Sequence, residues 1–96
     1  MKLEKVVKVE WVDSISSSSW EGIKSAKEIR PADVVSYGYL LDAGDDYITL
    51  AQNYIGNDEQ EQVCNTISIT RCSVKSVQDI TDYNYNDPSK AVNPNR

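Results

Sequence analysis

Between residues 34 and 77 the chain spells four short alternating segments with almost nothing wasted between them. VVSYGYLL and YITLAQ are separated only by DAGDD, and VCNTISI is followed after a short break by SVKSV. Segments this short, each with one apolar face and each ended by polar turn residues, bury that face by pairing in sequence and curling over it. The pattern predicts a mainly β chain built as a small closed barrel. It fixes an architecture and names no chemistry.

The remaining elements follow from the same periodicities. KVVKVEWV, residues 5–12, sets Val7, Val9 and Trp11 against Lys8 and Glu10, a first strand with one wet face. A serine run at residues 16–19 leads into WEGIKSAKEIRP, where Trp20, Ile23, Ala26 and Ile29 recur every third position as on the buried stripe of a short helix. Ser18 and Glu21 have capping-box spacing and Pro31 supplies the stop. In the second strand Val35, Tyr37, Tyr39 and Leu41 oppose Val34, Ser36, Gly38 and Leu40, so both faces call for cover. Gly38 in mid-strand marks a sharp bend or a close backbone approach. The third strand turns Ile48 and Leu50 inward and Tyr47, Thr49 and Ala51 outward. The fourth sets Val63, Ile67 and Ile69 against Cys64, Thr66, Ser68 and Thr70. A tight turn at residues 70–73 then opens the last strand. Residues 1–82 form one domain in this reading, and the Asn- and Pro-rich residues 83–96 a disordered tail.

Ninety-six residues are enough for one modest core. The net charge of −5 argues against general affinity for nucleic-acid backbone. Its distribution is uneven: residues 1–30 carry six basic and five acidic groups, residues 31–96 four and ten. The absence of histidine removes the usual neutral-pH acid/base and the commonest metal ligand. Serine has no base to activate it and neither cysteine has an obvious partner, so no enzyme, cofactor or metal site is expected. Cys64 and Cys72 fall on or beside neighbouring strands, which leaves a disulfide open, and they read first as reduced, partly buried small hydrophobes. No apolar run reaches the length of a membrane span, and a cytoplasmic protein is expected.

The candidate ligand residues are Trp11, Ser18, Ser19, Trp20, Lys24, Tyr37, Tyr39 and Arg71. Hydroxyls and free N–H groups at a helix start offer an anion site, a nearby indole offers a face for a base, and Lys24 adds charge. Arg71 sits where the chain turns between its last strands. Each also has a structural reading, in which Ser18 caps the helix, the tryptophans fill the core, Tyr37 and Tyr39 serve core or interface, and Arg71 is solvated. Asp42, Asp45 and Asp46 around Gly44 lack the ligand spacing of a calcium loop and read as turn chemistry.

The run WVDS, a tryptophan before a short helix ending at Pro31, and the runs VVSYGYLL, DDYITLAQ and ISITRCSVKSV resemble a group of small uncharacterised proteins of bacteriophages and prophages. The likeness spans residues 6–80. It implies a five-stranded SH3-like or Sm-like barrel with one short helix inserted between the first two strands. Small phage proteins of this kind include homo-oligomeric sponges that sequester cyclic nucleotide or ADP-ribose-type immune signals. The resemblance thus implies an anti-defence nucleotide-binding protein acting in the infected bacterial cell. The acidic second part of the chain supports a different expectation, a protein-binding inhibitor of a host defence effector or nuclease. A phage structural or regulatory module without ligand is the third.

Overall fold

The computed structural model describes residues 5–56 and 59–82. In chain order it contains β1 (Val6–Asp13), α1 (Ile23–Ala26), β2 (Ala32–Ala43), β3 (Tyr47–Gly56), β4 (Glu61–Thr70), a single 3-10 turn (Arg71–Ser73) and β5 (Val74–Asp79). The five strands form one antiparallel sheet in the order β4-β3-β2-β1-β5. The expected tail at residues 83–96 lies outside the described residues. Among the described residues, no helix is long and apolar enough to cross a membrane.

The inward faces follow the sequence alternation. Val7 and Val9 of β1, Ile48 and Leu50 of β3, and Ile69 of β4 are buried together, with Trp11, Leu40 and Val74 packed against them. Across the β1–β2 ladder Val7 faces Gly38, Val9 faces Ser36 and Trp11 faces Val34, so β2 lends this face small side chains. Ala51, on the opposite face of β3, is also buried. Burying a Val or Ile side chain contributes about 1.5–3 kcal/mol, so a core this short leaves much to pairing.

The sheet does not close, which corrects the expected barrel. β4 and β5 form its two edges, joined at one end through the 3-10 turn. The cause is visible in the registers. β3 and β4 stay paired from Tyr47↔Thr70 to Gly56↔Glu61, but β2 and β3 part after Tyr39↔Ala51. Beyond that point β4 follows β3 out of the sheet as a two-stranded hairpin and is carried away from β5.

Other expectations are corrected with it. The inserted helix is one turn, Ile23–Ala26, with Gly22 as its N-cap and no side-chain cap from Ser18. The stripe of Trp20, Ile23, Ala26 and Ile29 is exposed throughout, because residues 14–31 leave the sheet between Asp13 and Ala32 without packing onto it. Cys64 and Cys72 are exposed free thiols rather than partly buried ones, Cys64 on the uncovered edge strand β4 and Cys72 in the 3-10 turn that follows it. Val63 and Ile67 share a face with buried Ile69 but remain exposed for the same reason.

Gly38 is the point of closest approach. A Cβ at this position would lie 2.7 Å from the Ala51 carbonyl oxygen and 3.3 Å from the Leu50 Cβ. The Gly38→Ala variant is therefore expected to lose about 1–3 kcal/mol, read as a lower urea midpoint. A wild-type midpoint would show that the β2–β3 contact yields freely.

The far end of β5 is fastened to β1 by backbone and carboxylate together. Ile80 N–H donates to the Val6 carbonyl at 2.8 Å and Val6 N–H to the Thr81 hydroxyl at 3.0 Å. Asp79 accepts both the hydroxyl and the backbone N–H of Thr81, and these bonds hold its carboxyl below the ordinary value of 3.8. A lowered folded-state pKa stabilises above the unfolded value and is lost as pH falls through the folded one. Asp79→Asn should accordingly reduce stability at neutral pH and match the wild type once both are acidified below that range. A constant difference across the acid titration would remove Asp79 from this role.

Candidate functional site

Where β2 parts from β3 the sheet forks. The first half of β2 travels with β1, while the end of β3 and the start of β4 continue as the hairpin. A cleft of about 350 Å³ opens in the fork, lined by Ser36 and Tyr37 of β2, Leu50 and Gln52 of β3, and Asn65, Thr66 and Ile67 of β4. Small-molecule sites run from about 300 to 1,000 Å³, so this one matches a single ring system. A second cleft between Asn53–Ile55 and Gln62–Cys64 holds only about 130 Å³.

The cleft is uncharged, with polar and apolar surface in similar measure. Leu50 and Ile67 supply apolar surface, two hydroxyls and a phenol can donate or accept, and the Gln52 and Asn65 carboxamides present a donor and an acceptor in one plane. That planar pairing matches the edge of a nucleobase. Trp11 lies behind the site and donates its indole N–H to the Ser36 hydroxyl at 3.0 Å. With that acceptor position filled, the Ser36 hydroxyl keeps its own proton for a partner.

Asn65 carries the one unusual backbone conformation. Its φ is +57°, the only positive φ at a non-glycine position among the described residues. Asn65 stands opposite Gln52, a position the β3–β4 pairing skips between Ala51↔Thr66 and Asn53↔Cys64 while the register stays the same on either side. Left-handed backbone costs an ordinary L-residue about 1–2 kcal/mol, and Asn tolerates it best among side-chain-bearing types.

The structure brings two of the sequence candidates to the fork: Tyr37 lines the cleft and Trp11 backs it. Tyr39 turns instead to Tyr54 of the hairpin, ring edge to face at 5.8 Å, and the Tyr54 hydroxyl donates to Glu61 at 2.9 Å. Arg71 lies at the opposite end of β4 from the hairpin. Its Nε donates to the Gly44 carbonyl at 2.9 Å and its backbone N–H to the Asp46 carbonyl at 2.8 Å, fastening the 3-10 turn to the β2–β3 turn. Ser18, Ser19, Trp20 and Lys24 all ride on the 14–31 excursion, apart from the cleft lining. Asp42, Asp45 and Asp46 are exposed at their turn, and among the described residues no three Cys, Asp or Glu gather to hold a metal ion.

Gln52, Asn65 and Thr66 were not singled out by sequence reasoning. The signal was present, since VCNTISI places an asparagine inside a β-branched strand, where its tolerance of left-handed backbone has a use. Asn65→Gly should leave the urea midpoint unchanged or raised, while Asn65→Val should cost about 1–2 kcal/mol. Equal stabilities for the two variants would mean that the left-handed conformation is not held in solution. No protein-family model, no curated protein and no solved structure matches the chain, and the chemistry of the fork rests on its own geometry.

Proposed function

We propose that this chain works by binding, holding a nucleotide-type small molecule by its base in the fork cleft, on a sheet that is an opened SH3-like or Sm-like barrel. The observation that carries the reading is the cleft itself: two carboxamides and two hydroxyls beside the apolar side chains of Leu50 and Ile67, at the size of one ring system. Tyr37 supplies an aromatic face at the mouth. The strand order and the 3-10 turn ahead of β5 support the barrel kinship. A sequence without histidine favours retention over turnover. In the phage setting that the resemblance implies, such a protein sequesters a cyclic nucleotide or ADP-ribose-type immune signal in the cytoplasm of the infected cell.

Native mass spectrometry of the purified chain with a panel of cyclic nucleotides and ADP-ribose derivatives tests this directly. The expected result is one class retained at fixed stoichiometry, with Gln52→Ala weakening it about 10-fold while the circular dichroism spectrum is unchanged. Retention of no member of the panel, or wild-type affinity in the variant, would overturn the reading. Association with a host defence protein that weakens with salt would then favour the acidic inhibitor.

A further inference from the structure

The fork cleft offers hydrogen bonds without charge. Gln52 and Asn65 face each other across the skipped position of the β3–β4 ladder, and both line the cleft with Tyr37 and Thr66. Among the described residues, none of these four side chains spends its polar atoms on a hydrogen bond within the chain. A carboxamide carries a donor and an acceptor side by side, and a hydroxyl serves as either. Such groups answer the adjacent donors and acceptors on the edge of a base. They do not neutralise a phosphate, which calls for guanidinium or ammonium groups or for the free N–H groups of a helix start.

The cations that could meet a phosphate are engaged elsewhere. Lys8 stands across the ladder from Tyr37, but its ammonium lies 3.4 Å from the Glu10 carboxylate. Lys75 lies 3.4 Å from Asp33. Arg71 donates to the Gly44 carbonyl at the other end of β4, and Arg30 to the Lys27 and Ile29 carbonyls within the excursion. Among the described residues, no charged side chain lines the cleft. Its walls also belong to a segment, residues 32–82, with two basic groups and nine acidic ones. A ligand that brings negative charge enters a field of its own sign.

We infer that the cleft recognises its ligand by the uncharged base alone and leaves the phosphate in solvent, so that affinity falls with each negative charge the ligand carries. The inference rests on the binding reading above and narrows its ligand class. The cleft of about 350 Å³ takes one ring system, which leaves the second base of a dinucleotide outside. A cyclic mononucleotide, with one charge on one phosphodiester, is therefore the favoured nucleotide. ADP-ribose and open-chain monophosphates, with about two charges each, are disfavoured. The parent nucleoside binds at least as tightly as any of them.

The test is calorimetric titration of the purified chain with adenosine, its 3′,5′-cyclic monophosphate, its 5′-monophosphate and ADP-ribose, and with the matching guanosine, cyclic and 5′-monophosphate series. At about 10 mM salt, where charges act over about 30 Å, each added negative charge is expected to weaken binding about 3–5-fold. At about 1 M salt, where that range shrinks to about 3 Å, the nucleoside and its phosphates should converge. The salt response thus has the opposite sign from that of a phosphate-gripping site. Tighter binding of a 5′-monophosphate or ADP-ribose than of the nucleoside at low salt, lost as salt is added, would overturn the inference and leave the binding reading standing. Equal affinities along the series at low salt would also overturn it. Failure of every probe to bind, the uncharged nucleosides included, would sink the binding reading and this inference with it.

Discussion

The close backbone approach of Gly38 to Ala51 organises the molecule. On one side of it, β2 and β3 run paired through a bulge at Leu41 to the turn at residues 44–46, and Leu40 meets Leu50 over the core. On the other side β2 keeps only β1 as a neighbour, and β3 keeps only β4. No side chain can intervene where a Cβ would stand 2.7 Å from a carbonyl oxygen. The strands are therefore nearest at the point where they begin to diverge. The fork, its cleft and the failure of β4 to reach β5 are consequences of that one divergence.

The sequence revealed the strands because their inward faces are filled from within the chain. Val7 and Val9, Ile48 and Leu50, and Ile69 lie where alternation puts them, and Gly38 makes the close approach that a mid-strand glycine implies. The same logic failed on Trp20, Ile23, Ala26 and Ile29. A three-residue stripe says that a surface wants cover, without saying whose surface covers it. Ser18 was placed as a cap on the premise that the helix began there, yet with nothing to pack against the helix shrinks to one turn behind Gly22. Short helices draw most of their stability from tertiary contact, and among the described residues nothing buries any side chain of this one.

Closure was out of reach for a related reason. Alternation gives the inward face of each strand and leaves open which ladders run their full length. β4 reads as a core strand through Val63, Ile67 and Ile69, but only Ile69 lies in the part of the hairpin that the rest of the sheet covers. The cleft was illegible because its polar lining comes from three strands and assembles only where two of them part. Asn65 was the one local sign, a residue chosen for backbone conformation in a strand otherwise chosen for bulk.

Among the described residues, a core of six buried hydrophobics beside eleven large exposed ones is an unusual balance for a chain that folds alone. The exposed groups are not scattered at random. Ile15, Trp20, Ile23 and Ile29 occupy the excursion, Val35, Tyr37 and Tyr47 the outer face of β2 and β3, Ile55 and Val63 the hairpin, and Ile67 and Val77 the two edge strands. These are the segments that leave the sheet, face away from its core or form its uncovered edges. A chain arranged this way gains stability by mass action when its free surfaces meet. The charge is unevenly spread as well: residues 1–31 carry six basic and five acidic groups, and residues 32–82 two and nine.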